Sequence, residues 1–300
     1  MTNTGRRGFL ALGAAAFAGC VLPGGRTAKF AMNASTLRGY ALDLDGQVRA
    51  AVSAGFAGYE PWMKDIRAAK TAGRLQDIRK RAEDGALSFI NGIAFGQWAH
   101  PDASVRAAGI EETKRDMALL AELGCPRIAA SMFGVHRPGS PAVPAADIAE
   151  RYAAVLDLGR EMGVRPLLEY WGHSVNLFRL EDALEVVRLV NRPDAAVLAD
   201  VYHTYRGGGS FAAYRRLSAG LLPVLHINDY PASPGRGLLK DADRVWPGDG
   251  AAPWAEIRSN LAGAGADPWL SIELFNPAYW RTSPENTLRV GLDKLRIWDA

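Results

Sequence analysis

Short apolar segments alternate with longer helix-patterned stretches along most of this chain, and that alternation constrains its fold more than any other feature. Eight rounds can be counted, with strand-like runs at 29–35, 58–62, 86–93, 127–132, 165–170, 195–201, 223–229 and 269–275. Helical patterns fill the gaps, among them 111–123, 146–162, 180–190 and 284–298. Apolar strands separated by crossover helices form a parallel sheet covered by helices, and eight rounds close it into a single (β/α)8 barrel, a TIM barrel, over 29–300. Gly55, Gly85, Gly124 and Gly163 each stand just before a strand, where a left-handed residue ends a helix. Nothing reads as a linker. Pro and Gly cluster at 134–144 and 231–250, after strands, where barrels enlarge the loops of their open face. An open doubly wound sheet is disfavoured, because no Gly-rich phosphate turn follows the first strand.

Residues 1–28 differ in kind from the barrel. Arg6-Arg7 lead into Gly8-Phe9-Leu10 and an apolar run that ends at Ala18, and no acidic residue precedes Asp43. That run is too short to span a bilayer and has the pattern of a twin-arginine export signal, which makes the expected location the periplasm. Ala16-Phe17-Ala18 suits ordinary signal cleavage. Phe17-Ala18-Gly19-Cys20 resembles a lipobox, with Cys20 as an alternative lipid-anchored N-terminus. Beyond residue 28 the chain carries equal numbers of basic and acidic residues, 32 of each, since only Arg6, Arg7 and Arg26 precede it. A neutral body with no basic block argues against a nucleic-acid partner. Cys125 is then the sole cysteine of the barrel, so no internal disulfide supports it, and its Leu-Gly-Cys-Pro context reads as buried.

Functional residues of such a barrel stand at the C-terminal ends of strands. The last four strands each place one polar residue there after a core-type run: Glu169, Asp200, His226 and Glu273. Three carboxylates and an imidazole aimed at one volume repel and desolvate one another unless a cation joins them. One divalent metal is therefore expected, manganese or zinc first, with cobalt or magnesium as alternatives. His203, three residues past Asp200, can hydrogen-bond a substrate oxygen, orient a ligand or bind a second metal. Asp229, three past His226, either holds that imidazole's other nitrogen, caps a turn or faces substrate. His173 follows strand five, and Glu60 at the end of strand two is either a structural ion-pair partner or a substrate ligand. His100 and His136 fall in Pro-containing loops and read as surface or lid residues. Trp62, Trp98, Trp171, Trp246 and Trp280 fall on the presumed open face, where aromatic walls suit the C–H faces of sugar rings.

These residues and their surroundings resemble the xylose-isomerase-like barrel family of sugar epimerases, inosose isomerases and metal-dependent DNA-repair endonucleases. The likeness covers the chain after residue 28. It is carried by Leu168-Glu169, Asp200 with His203, His226-Ile227-Asn228-Asp229, Pro247-Gly248-Asp249-Gly250 and Ser271-Ile272-Glu273. Asp241-Ala242-Asp243-Arg244-Val245-Trp246-Pro247-Gly248 and Glu273-Leu274-Phe275-Asn276-Pro277-Ala278-Tyr279 are most similar to the inosose isomerases, and Gly172-His173 and Val190-Asn191-Arg192 add to that likeness. The resemblance implies an isomerase that moves a keto group to an adjacent carbon of a sugar or cyclitol ketone through a cis-enediolate. Glu169 and Glu273 are then both metal ligands and the acid/base pair, and His203 moves protons between oxygens. Glu60, Trp62, Trp171, His173, Asp229, Arg244 and Trp246 are expected to face substrate. A ketose 3-epimerase and a 3-keto-glycoside lyase use the same enolisation and are the alternatives, with a noncatalytic sugar-binding barrel a remote one. The endonuclease chemistry needs extra histidines where this chain has Glu60, Asn91 and Ser131. Replacing Arg6 and Arg7 together by lysine is expected to leave the protein in the cytoplasm on cell fractionation; undiminished export would remove the twin-arginine reading.

Overall fold

In a computed structural model the described residues are 21–22, 26–27 and 29–298. Residues 1–20 of the expected export signal, with both arginines of its pair, the processing sites and Cys20, lie outside them. Val21–Leu22 and Arg26–Thr27 form a small antiparallel pair. The eight barrel strands follow as β1 Lys29–Asn33, β2 Gly58–Glu60, β3 Ser88–Phe89, β4 Arg127–Ala130, β5 Arg165–Glu169, β6 Val197–Asp200, β7 Val224–Ile227 and β8 Trp269–Ile272. All pair in parallel in the order β3-β2-β1-β8-β7-β6-β5-β4. Gly92, just past β3, closes the ring on β4, donating to the Arg127 carbonyl and accepting from the Ala129 amide, each at 2.9 Å.

The helices are α1 Leu44–Ala54, α2 Met63–Thr71, α3 Leu75–Asp84, α4 Ala103–Leu123, α5 Ala145–Met162, α6 Leu180–Val190, α7 Val201–Arg206, α8 Trp254–Gly263 and α9 Pro284–Lys294. α1 packs on α9, so the helical ring closes with the sheet. Among the described residues no helix is long and apolar enough to cross a membrane. Three of the four expected left-handed glycines are so, Gly55, Gly124 and Gly163 with φ of 90°, 78° and 69°. Gly85 is not. Its φ is −89° and Ala86 carries the positive value, 54°, while a Cβ on Gly85 would stand 2.6 Å from Val52 Cγ2. The glycine there makes room for α1 rather than a turn.

Two cores result. One fills the space between sheet and helices, and a smaller one, including Ala31, Ile90, Ala129, Leu167, Leu198 and Val224, fills the barrel. Side chains alternate across a strand, so the residue two positions after each inward apolar one also points inward. Position 33 follows 31, 131 follows 129, 169 follows 167, 200 follows 198 and 226 follows 224. Those positions hold Asn33, Ser131, Glu169, Asp200 and His226, all buried. A polar layer thus sits directly above the apolar one. The strands end sooner than the apolar runs suggest, β2 at Glu60 and β3 at Phe89, because the next residues turn into mouth loops. Cys125 is buried before β4, as expected, and burial pushes its thiol up to about 12.

Asp229 organises the loop after β7 instead of facing substrate or orienting His226. Its carboxylate accepts from the amides of Tyr230, Gly248 and Ala252 at 2.8, 3.0 and 2.9 Å and from Trp254 Nε1 at 2.9 Å. It is fully buried. Each buried donor left without an acceptor costs about 1–3 kcal/mol, so Asp229→Ala is expected to lower stability in urea unfolding by at least about 3 kcal/mol.

Candidate metal and proton-transfer site

Asp200 and His226 lie side by side in register on β6 and β7, and Ser271 of β8 pairs with His226 on the other side, so Glu273 comes just above it, past the end of β8. Ligating atoms of Asp200, His226 and Glu273 all fall within 4.8 Å of one another. Asp200 divides its two oxygens between jobs. Oδ1 caps α7 by accepting from the His203 amide at 2.7 Å, and Oδ2 turns into the barrel, 3.8 Å from His226 Nδ1. Glu273 Oε2 is 3.3 Å from the same nitrogen. His226 Nδ1 is buried, has no hydrogen-bond partner among the described residues and faces two carboxylates. A nitrogen so placed, with oxygen donors beside it, fits a divalent cation. Glu169, the fourth expected ligand, lines the same cavity but stands beside Leu198 in register, one inward step below Asp200, outside that tight group.

The charges of the site constrain one another. Burial pushes the Glu169 carboxyl up, Glu273 and Asp200 add to the rise, and the charge of His226 with a hydrogen bond from Trp171 opposes it; the result is about 8. Burial alone would raise Asp200 too, yet the Arg244 guanidinium first, then the charge of His226 and the hydrogen bond from the His203 amide, hold it well below the ordinary range. Burial would lower His226, and the facing Glu273 and Glu60 carboxylates instead raise it well above its ordinary value. Arg244 is fully buried, sandwiched between Tyr202 and Phe275 with its Cζ 4.4 and 5.1 Å from the ring centroids. Its Nη1 donates to Asp200 Oδ2 at 2.8 Å and to Glu273 Oε2 at 2.7 Å, and its Nη2 to Asp241 Oδ1 at 2.7 Å.

His203 is 3% exposed, and burial, outweighing Asp200, brings its imidazole down to about 3, so the ring is neutral at physiological pH. Its Nδ1 lies 3.2 Å from the Gly172 amide and its Nε2 3.1 Å from Arg244 Nη2, two donors of which a neutral ring accepts from one only. His173, His203 and Asp241 also bring ligating atoms within 4.8 Å of one another, but the Arg244 guanidinium that bonds this same group opposes a second cation there.

The cavity holds about 170 Å³, and Trp62, Trp171, His173 and Arg244 line it as expected. Trp62 meets Phe95 edge-on with ring centroids 5.5 Å apart, and Trp171 stacks on His173 at 5.7 Å. Trp246 does not line it: it is buried against Tyr279, with centroids 4.5 Å apart. Trp98 packs on Tyr152 inside the core, and Trp280 donates to the Thr36 carbonyl at 2.9 Å, sealing the rim. Glu60 is absent from the wall as well, since it lies fully buried beneath His226. His136 is a buried ring stacked on Phe133 rather than a surface residue. Residues that sequence reasoning passed over are Ile93, Phe95, Phe275 and Asp241, which line the cavity. Asn228 was missed too. Its amide donates to Asp200 Oδ2 at 3.1 Å, and its carbonyl accepts from the Tyr202 amide at 2.8 Å. Only Asp241 had a local signal, its i,i+3 spacing to Arg244.

The sequence model of the xylose isomerase-like TIM barrel family matches residues 48–298. The chain belongs to that family. Inosose isomerase from Bacillus licheniformis is 34% identical over 136 residues, which are 44% of this chain and 48% of that protein. The match therefore spans about half the length of this curated relative. The crystal structure of the IolI protein with a bound zinc atom superposes with a TM-score of 0.81 at 22% identity, covering 90% of this chain and 98% of that one. A D-psicose 3-epimerase crystallised in the presence of D-fructose gives 0.74 at 18%, covering 91% and 100%. At those identities the two structures speak for the fold.

A folded-state value of about 8 for Glu169, against an ordinary 4.5, means that the folded metal-free protein keeps a proton the unfolded chain releases. The contribution of this group to stability is full below the lower value and is lost as pH rises through the higher one. With a chelator present, Glu169→Gln is expected to lose less stability than wild type between about pH 5 and about pH 8. Equal pH slopes in urea titrations would show that Glu169 ionises normally.

Proposed function

We propose that this barrel is a metal-dependent isomerase that moves a keto group to the adjacent carbon of a cyclic polyol ketone, of the inosose class, through a cis-enediolate. The observation that carries the reading is the pairing of two cavity carboxyls, Glu169 at the end of β5 and Glu273 just past β8, with a neutral imidazole, His203, on the same cavity wall. Asp200, His226 and Glu273, with Glu169 closing in, would hold a divalent cation, which supplies stabilisation of negative charge on two adjacent substrate oxygens.

This chain's own residues then account for the protons. A carboxylate takes the proton from the hydroxyl-bearing carbon, and a proton is returned to the former carbonyl carbon, roles that fall to Glu169 and Glu273 on opposite sides of the cavity. Glu169, which lines the cavity outside the tight ligand group, keeps a carboxylate oxygen available for both halves of the exchange. A proton must also pass from the hydroxyl oxygen to the carbonyl oxygen. His203, an imidazole of the cavity wall held between the Gly172 amide and Arg244 Nη2, would carry it. Trp62, Phe95, Trp171 and Phe275 exclude water and offer ring faces to a carbocycle. The same apolar wall favours one second reading, a 3-keto-glycoside lyase whose aglycone packs there. With the Arg6-Arg7 signal, the ketone would be one met outside the cytoplasm.

Protein loaded in turn with manganese, zinc, cobalt and magnesium is expected to incorporate carbon-bound deuterium from deuterated water into an inosose and to form a second ketone. No exchange with any of the four would overturn the reading, and released aglycone from a keto-glycoside would favour the lyase. Glu273→Gln is expected to lower metal content and to slow exchange about 10²–10⁴-fold.

A further inference from the structure

Glu60 is fully buried, and the enolisation scheme does not employ it. It stands at the end of β2, below the cavity, where an ionised carboxylate needs donors. Asn91 Nδ2 donates to Oε2 at 2.8 Å, and both carboxylate oxygens lie 3.2 Å from Nε2 of His226. β2 and β7 are not neighbours in the sheet, with β1 and β8 between them, so this contact crosses the barrel interior.

The surroundings of Nε2 leave one choice of acceptor. The Asn33 amide is 3.5 Å away, but its Oδ1 already accepts from the Ser35 amide at 3.0 Å and Trp62 Nε1 at 3.3 Å, so only its NH2 faces the ring. Among the described residues only Glu60 can accept a proton from Nε2. With a cation held between Asp200 and Glu273, the lone pair faces it from Nδ1 and the ring hydrogen lies on the Glu60 side.

We propose that Glu60 is a positioning residue for the metal: its carboxylate holds His226 in the Nε2–H tautomer and aims the Nδ1 lone pair between Asp200 and Glu273, an inference that rests on the metal reading above. A carboxylate behind a ligating imidazole fixes the ring and raises its basicity, and loss of such a partner typically weakens metal affinity about 10–100-fold. Glu60→Gln keeps the shape and an acceptor but removes the charge.

Zinc affinity measured by competition with a chromophoric chelator, together with the visible spectrum of the cobalt-loaded protein, tests this on wild type and Glu60→Gln. The expected result is zinc binding about 10–100-fold weaker in the variant and a shifted cobalt band. Equal affinity and an unchanged cobalt spectrum would overturn the proposal, and so would a variant that loses thermal stability alone. Should Glu60→Gln fail to fold, imidazole nitrogen NMR of zinc-loaded wild type decides. A proton on His226 Nε2 with metal on Nδ1 supports the assignment, and the reverse tautomer overturns it. Wild type that binds neither zinc nor cobalt would instead defeat the metal reading itself.

Discussion

Asp200 and Glu273 press two carboxylates toward one imidazole and one guanidinium in a place with almost no access to water, and the rest of the open face is arranged around that conflict. Like charges at such separation interact far more strongly in the interior than in water. Each oxygen is consequently assigned. Asp200 Oδ1 caps α7 and so sets where His203 stands, and Asp200 Oδ2 is shared among Arg244, Asn228 and the approach to His226. Tyr202 and Phe275 clamp the Arg244 guanidinium between their faces, which keeps its nitrogens aligned with three carboxylates at once.

The arrangement suits proton transfer next to a carbonyl because the site separates its titrating groups. Asp200 stays ionised, Glu169 holds its proton near neutral pH in the metal-free protein, and His203 remains a neutral imidazole. Pairs of groups whose environments drive their proton affinities apart are the usual means by which one cavity supplies both acid and base. The aromatic wall strengthens the effect by excluding water, and it gives the cavity a flat apolar side that an open, fully hydrated chain would use poorly.

Much of this is legible in the amino-acid sequence. Eight apolar runs at regular spacing imply the barrel, and the alternation of side chains along each strand already places Glu169, Asp200 and His226 inside it. The aromatic residues are legible as a class but not one by one, since Trp62 and Trp171 reach the cavity whereas Trp98, Trp246 and Trp280 turn to the core or the rim. The partner of His226 shows the limit most clearly. Nearness in sequence points to Asp229, three residues on, but the strand ends at Ile227, and Asp229 is captured by four donors of its own loop.

What the sequence by itself determined is whatever depends on local periodicity: which segments are strands, which residues on each point inward, and that polar groups crown an apolar interior. Only the tertiary structure decided which of those polar groups meet. Glu60 touches His226 across the barrel although 166 positions separate them, and Arg244 comes from the loop after β7 to join Asp200 and Glu273. Such contacts follow from the closure of the sheet, the stagger of its strands and the path of its loops, which are properties of all eight strands together and leave no mark on any one segment.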